Sequence, residues 1–173
     1  MSAASLPGSK SKIVVGIAEL ATSDQEDTTL ATYSLGSCIG VSIYDPKLKV
    51  GGLLHVMLPD SSIDPLKASS KPAMFVDTGL PNLFRAATEL RADKDRVEIC
   101  VVGGAQIMDS SGVFNIGKRN YEALVSSLKE QGLHIHAEQV GGYVSRSMSL
   151  RLATGEVRLK VVGPGDEIIL CKS

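Results

Sequence analysis

The stretch Thr32-Tyr-Ser-Leu-Gly-Ser-Cys38, with the chain that follows it as far as His55, decides the fold. Residues 39–44 carry branched apolar side chains at every second position, which is the periodicity of a β-strand. Asp45-Pro46-Lys47 is typical of a turn, and residues 50–57 are apolar or glycine except for His55. We therefore predict a β-hairpin, with a cysteine just before its first arm and a histidine late in its second arm.

Cys38 and His55 are the candidate nucleophile and base. A cysteine attacks as its thiolate, which is scarce at neutral pH because the ordinary pKa is about 8.5, and a neighbouring imidazole can take the proton. If the hairpin pairs residues whose numbers sum to about 94, Cys38 and His55 lie side by side at its open end. Thr32 offers a hydroxyl that can hold the other ring nitrogen of His55. Gly36 and Ser37 would let backbone N–H groups approach a developing oxyanion.

The cysteines and histidines also have structural interpretations. A cysteine beside an apolar strand is usually a small core residue, and a histidine on such a strand is usually a hydrogen-bonded core residue. Cys100 and Cys171 fit the core interpretation, and no C-x-x-C pattern predicts a zinc site or a disulfide framework. His134 and His136 could share one face of a strand, but the sequence offers no third ligand nearby, so we expect no metal site.

The composition indicates an ordinary globular chain. It has 173 residues, 43% hydrophobic and 21% charged, enough for one domain, predicted at residues 12–173 after a Ser/Gly/Ala-rich tail at residues 1–11 that we expect to be disordered. A net charge of −1 without a basic cluster argues against nucleic acid as a partner. No apolar run approaches the ~20 residues of a membrane span, and the N-terminus lacks a signal-peptide core, so we expect a cytoplasmic protein without membrane insertion.

Strand patterns outnumber helical patterns, by roughly nine to two or three, and do not alternate with them regularly. Helical spacing predicts helices near residues 80–90 and 121–128, whereas residues 133–137 alternate as a strand. Residues 21–29 and 59–71 are polar and are predicted as loops. The predicted fold class is α+β, with layered mixed β-sheets forming a β-sandwich-like core and two or three helices packed outside.

Taken together, six short motifs resemble those of the chemoreceptor glutamine deamidases, the CheD family. They are Leu35-Gly-Ser-Cys38, His55-Val-Met-Leu-Pro-Asp60, Gly103-Gly-Ala105, Ile116-Gly-Lys-Arg-Asn120, Gly141-Gly142 and Thr154-Gly155. They occur in the family's order over residues 13–162, and the first two motifs at this spacing are the most specific part of the resemblance.

The resemblance implies a cysteine hydrolase that converts glutamines of chemotaxis receptors to glutamates and releases ammonia. It implies a Cys-His-Thr triad at Cys38, His55 and Thr32, and a layered mixed-sheet fold similar to that of deamidating bacterial toxins. The reaction would pass through a thioester and need no metal or organic cofactor. The resemblance also implies a protein partner, the receptor-adaptation phosphatase CheC, which in this family docks on the deamidase and blocks its site by mimicking substrate.

The sequence departs from the family pattern in three places, and these departures leave the triad intact. Residues 71–78 replace the usual lysine-tyrosine-alanine-aspartate-threonine run, Gln139 stands where an aspartate usually precedes the Gly-Gly pair, and Ser145 stands where a glycine precedes Arg146. Two other functions stay open. The chain could be a binding partner that regulates CheC with weak or no deamidation, or a Cys-His hydrolase of small molecules, for which we would expect a narrow closed pocket around Cys38.

Overall fold

The structure is a computed structural model and describes residues 10–107, 114–163 and 165–173. Within these ranges the chain forms ten β-strands and three α-helices. The strands are β1 Ser11–Val14, β2 Leu20–Ser23, β3 Thr28–Leu35, β4 Ile39–Asp45, β5 Val50–Val56, β6 Glu98–Gly103, β7 Ala137–Val140, β8 Arg146–Arg151, β9 Glu156–Val161 and β10 Ile168–Cys171. The helices are α1 Pro65–Ser70, α2 Val76–Glu89 and α3 Ile116–Glu130, and the 3₁₀ turns Ser61–Ile63 and Pro72–Met74 flank α1.

The strands form two five-stranded sheets. The outer sheet has the order β1-β3-β8-β9-β10, and the central sheet has the order β2-β5-β4-β6-β7. The β1–β3 and β6–β7 pairs are parallel and the others antiparallel. The predicted α+β class, with layered mixed sheets and helices outside, is confirmed. No helix of the described residues is long and apolar enough to cross a membrane.

Both faces of the central sheet are covered, which explains why the two hairpin arms are so apolar. Leu54 on β5 belongs to one buried cluster with Leu80 of α2 and residues of α3. Leu53, the preceding residue, belongs to a second cluster with Leu30 of the outer sheet. Side chains on a strand alternate between faces, so His55 points toward the outer sheet, like Leu53.

The predicted hairpin forms, but its register differs by one from the prediction. Gly40 lies opposite His55, so paired residue numbers sum to 95. Cys38 lies two residues before Gly40 and is therefore a diagonal neighbour of His55 instead of lying directly beside it. The alternation still places both residues on the face toward the outer sheet, where Cys38 packs against the second cluster.

Two predicted loops contain regular structure. β2 lies in the region predicted as a loop at residues 21–29, because its backbone pairs with the edge of β5 from Leu20 opposite Leu54 onward. α1 lies within residues 59–71, where Asp64 caps the helix by accepting from the Lys67 N–H and Pro65 occupies its first turn.

Two boundaries also move. The strand predicted at residues 133–137 begins at Ala137, because parallel pairing with β6 starts there, opposite Cys100. Ser11, assigned to the disordered tail, belongs to β1 and pairs with Thr28. Residues 1–9 of that predicted tail lie outside the described residues.

Candidate active site

Thr32 and His55 meet between the two sheets. The Thr32 Oγ1 lies 2.7 Å from the His55 Nδ1 and 2.7 Å from the Val15 carbonyl oxygen, and both side chains are fully buried. The carbonyl can only accept, so the single hydroxyl proton goes to Val15. Thr32 must then accept from Nδ1–H of His55, and this assignment from the hydrogen-bond network leaves the lone pair of the ring on Nε2.

A bulge in β3 carries the chain from the outer sheet to the central sheet. The pairing of β3 with β8 shifts by one residue between Thr32 and Leu35, and Ser34 has a left-handed backbone with φ of 59°. Bulges bend a strand and redirect its side chains. Here the bend leads into residues 36–38, which we call the nucleophile turn after the candidate nucleophile Cys38, and the turn enters β4. Thr32 at one end and Cys38 at the other therefore approach the same region between the sheets.

The backbone of His55 is held on both sides within the central sheet. Its N–H donates to the Glu19 carbonyl and its carbonyl accepts from the Ala18 N–H, each at 3.0 Å, while Gly40 lies opposite on β4. Burial lowers the pKa of His55 to about 4, so the ring is neutral at pH 7. Within the described residues its Nε2 is buried without a hydrogen-bond partner. The imidazole is thus a neutral base whose lone pair is not engaged.

Cys38 is a free, half-buried thiol at the end of the nucleophile turn. Burial raises its pKa, against a smaller opposite effect of its own backbone N–H, so the resting thiol is protonated at neutral pH. In the described part of the chain no hydrogen bond joins it to His55. Proton transfer between the two therefore requires the Cys38 side chain to approach Nε2.

The three carbonyls of the nucleophile turn accept hydrogen bonds from distant parts of the chain. The Ala105 N–H donates to Gly36 at 2.8 Å, and the Gly104 N–H donates to Cys38 at 2.9 Å. The Asn120 side chain donates to Ser37 at 3.0 Å. Gly36 and Ser37, the residues predicted beside an oxyanion, are half-buried. The turn is therefore fixed in place by the two residues that follow β6 and by α3.

A small apolar cavity of about 190 Å³ lies beside the nucleophile turn. Its walls include Ser37, Ala105, Ile107, Phe114 and Ile116. Pockets for small-molecule ligands usually measure about 300–1,000 Å³. Among the described residues that line the cavity Cys38 is absent, so this cavity is not the narrow closed pocket around the thiol that a small-molecule hydrolase would need.

The other cysteines and histidines have structural positions. Cys100 is buried in the cluster between the sheets, as expected, and Cys171 packs against the same cluster. The rings of His134 and His136 stack at 4.5 Å, and Nδ1 of His136 accepts from the Ile99 N–H at 3.0 Å. Among the described residues, no group of three His, Cys, Asp or Glu side chains could hold a metal ion.

Two buried polar residues near the site were missed by sequence reasoning. Arg146 donates to the Gly141 carbonyl at 2.9 Å and to the side chain of Gln139 at 3.0 Å. Asn120 contacts the nucleophile turn. Two features of the sequence could have indicated these residues. One is the replacement of the family's usual aspartate by Gln139, which contacts Arg146, and the other is the motif that ends at Asn120.

Comparison with known proteins gives a consistent family. A family model described as "CheD chemotactic sensory transduction" matches residues 57–161. The chain is 44% identical over 158 residues to the "Probable chemoreceptor glutamine deamidase CheD" of Solibacter usitatus, covering 91% of this chain and 94% of that protein. Identity is 44% over 151 residues to the "Probable chemoreceptor glutamine deamidase CheD 1" of Syntrophus aciditrophicus, covering 87% and 94%.

A third relative is similar over most of both chains. The chain is 41% identical over 155 residues to the "Probable chemoreceptor glutamine deamidase CheD" of Pyrococcus abyssi, covering 88% of this chain and 93% of that protein. The family-model match begins two residues after His55. The alignment to the Solibacter protein covers 158 of the 173 residues of this chain. It therefore includes positions 32–55, which the family-model match does not reach. With a family model that matches more than half of its length and relatives this similar, the chain belongs to the CheD family.

Proposed function

We propose that this chain hydrolyses the side-chain amide of glutamines in chemotaxis receptors, giving glutamate and ammonia. The printed names of its relatives support the substrate class. The observation that carries the chemistry is the hydrogen bond between Thr32 and Nδ1 of His55, because it leaves Nε2 as the proton acceptor on the face that Cys38 shares. Cys38 is then the nucleophile, His55 the base and Thr32 the residue that orients the base.

In the first half of the reaction the Cys38 thiol loses its proton to Nε2 of His55. The sulfur attacks the amide carbon of the glutamine, and the amide oxygen becomes an oxyanion. Backbone N–H groups of Ser37 and Cys38 would stabilise that oxyanion, because the Gly36 N–H already donates to the Ser34 carbonyl at 3.1 Å. His55 returns the proton to the leaving nitrogen, ammonia departs, and a thioester joins Cys38 to the substrate.

In the second half a water molecule attacks the thioester carbon. His55, neutral again, takes a proton from the water, and the carbon–sulfur bond breaks. The thiolate recovers its proton from His55, and the carboxylic acid that is formed releases its own proton to solvent and becomes a glutamate side chain. Each event therefore adds one negative charge to the receptor, which alters the electrostatics of its helices.

The protonation states of Cys38 and His55 in the resting site determine when the thiolate forms. The pKa of Cys38 lies above its ordinary value and that of His55 is about 4. Moving the proton from sulfur to imidazole is therefore unfavourable before the two charges attract each other. Their attraction in a buried site offsets part of this cost. We propose that the proton moves to His55 as the sulfur attacks an electrophile, so the ion pair is a minor species in the resting site.

The test uses the purified protein and the cytoplasmic fragment of a chemotaxis receptor. Ammonia release and the mass of receptor peptides report deamidation. We expect Cys38→Ala to fold normally and abolish both signals, and His55→Ala to be nearly as damaging. Cys171→Ser is the matched control and should keep full activity. A Cys38→Ala protein that still converts receptor glutamines would refute the assignment of the nucleophile.

A second proposal concerns the regulator CheC. Cys38 and the rest of the nucleophile turn are half-buried instead of enclosed, so a protein that covers the turn would block the thiol. We expect CheC to inhibit deamidation in competition with the receptor fragment, and to bind Cys38→Ala as well as the unaltered chain. If the chain changes CheC phosphatase activity but deamidates no receptor fragment, the regulatory function replaces the enzymatic one.

A further inference from the structure

We propose that Asn120 is a positioning residue that holds the nucleophile turn against the end of β5 and so keeps Cys38 in reach of His55. The inference rests on the roles proposed above for Cys38 and His55. It assigns a function to the motif Ile116-Gly-Lys-Arg-Asn120, which the chemistry described so far does not use.

The amide group of Asn120 joins the two chain segments that carry the reacting residues. Its Nδ2 donates to the Ser37 carbonyl at 3.0 Å and to the Met57 carbonyl at 2.9 Å. Ser37 directly precedes Cys38, and Met57 follows His55 by two residues. Two carbonyl oxygens can accept only from the NH₂ side of the amide, so the orientation of the side chain is fixed by its partners.

Gly117 brings α3 close enough for this contact. A Cβ at Gly117 would lie 2.5 Å from the carbonyl oxygens of both Gly104 and Ala105. The N–H groups of the same two residues hold the Cys38 and Gly36 carbonyls. The first turns of α3, residues 104–105 and the nucleophile turn therefore form one packed assembly, and only glycine fits at the closest point.

The state of the amide oxygen supports a positioning role. Asn120 is fully buried, and within the described residues its Oδ1 has no hydrogen-bond partner. A buried amide oxygen without a partner is costly, whereas both protons of the amide are used. The side chain is thus suited to its two donor contacts, and those contacts lie at the ends of the two segments that must stay in register.

The test measures the coupling between Cys38 and His55 by alkylation, which needs no receptor. The purified full chain is treated with iodoacetamide near neutral pH, and the peptide that contains Cys38 is followed by mass spectrometry. With Asn120 present, we expect His55→Gln to slow alkylation of Cys38 about tenfold, within the range for coupled neighbours. In the Asn120→Leu background, which keeps the approximate shape but removes both donors, the His55 effect should fall below about twofold.

Two further variants separate positioning from stability. If circular dichroism shows that Asn120→Leu does not fold, Asn120→Ala replaces it in the alkylation measurement, because alanine cannot overpack the site. Leu124→Ala lies one helical turn further along the buried face of α3, weakens packing and touches neither carbonyl, so it should keep the tenfold effect of His55.

The outcomes are distinct. The positioning role is overturned if His55→Gln still slows alkylation of Cys38 tenfold in both Asn120 variants. It is also overturned if Leu124→Ala abolishes this slowing as fully as the Asn120 variants do. A His55 effect absent even with Asn120 intact overturns both this role and the proposed pairing of Cys38 with His55. Loss of coupling in the Asn120 variants of a chain that deamidates no receptor would uphold the positioning role and reject the deamidase.

Discussion

Replacing Thr32 with valine tests the proton assignment at the centre of the site. Valine keeps the shape of threonine but removes the oxygen that lies 2.7 Å from both Nδ1 of His55 and the Val15 carbonyl. The Nδ1–H then has no acceptor, and the ring can relieve this by moving its proton to Nε2. The tautomer with the proton on Nε2 cannot act as the base, so the substitution should act on the rate and not only on stability.

The size of the effect follows from the cost of one unpaired buried donor. Keeping the proton on Nδ1 without an acceptor costs about 1–3 kcal/mol in a fully buried site. At 1.4 kcal/mol per factor of ten, kcat/KM for ammonia release should fall by about 5- to 150-fold. The KM for the receptor fragment should change little, because Thr32 is buried beneath the site and does not face substrate.

Thr32→Ser is the matched control. Serine keeps the hydroxyl and loses one buried methyl group, so the free energy of unfolding should fall by about 1 kcal/mol while activity stays near that of the unaltered chain. Full activity in Thr32→Val, or an equal loss of activity in Thr32→Ser, would refute the proton assignment. Both variants are compared at a temperature where circular dichroism shows them folded.

Three further predictions concern stability and packing. The pKa of His55 is about 4 in the folded chain against an ordinary value of 6.5, so the unfolded state protonates first and stability should fall by about 3 kcal/mol as pH drops from about 6.5 to 4. Urea unfolding across this range checks the loss, and a His55→Gln variant with the same pH dependence would contradict it. Asp45 is fully buried and pairs with Arg96 at 2.7 Å, so Asp45→Asn should cost about 2 kcal/mol in urea unfolding at neutral pH; an unchanged midpoint would contradict this. Gly117→Ala should lower Tm and activity despite the higher helix propensity of alanine, whereas Ser126→Ala on the exposed face of α3 should not; a Gly117→Ala protein as stable as the original would show that α3 tolerates a Cβ there.

The hairpin could be predicted from local patterns, and the same patterns single out Cys38 and His55 as candidates. Alternation, an Asp-Pro turn and a histidine on an apolar arm are all visible within residues 38–57. The one-residue error in register arose because the turn uses four residues between Asp45 and Val50, with Lys49 in a left-handed conformation at φ of 55°. A lysine gives no sign of that conformation in the sequence.

The contacts that complete the site could not be predicted, because they join distant residues. β2 is short and has a weak strand pattern, and it forms by pairing with the edge of β5. The contact of Asn120 with Ser37 spans 83 residues. The motif that contains Asn120 was visible, but the sequence alone did not indicate which side of α3 would face the nucleophile turn.

The nucleophile turn has a consequence for how the protein matures. Its three carbonyls accept hydrogen bonds from residues 104, 105 and 120. Contacts between residues so far apart in sequence form late in folding. A nascent chain that has left the ribosome only as far as β6 contains all three residues of the proposed triad but lacks α3. Thiol reactivity enhanced by His55 should therefore arise only once synthesis has passed α3, and its appearance would mark completion of the fold.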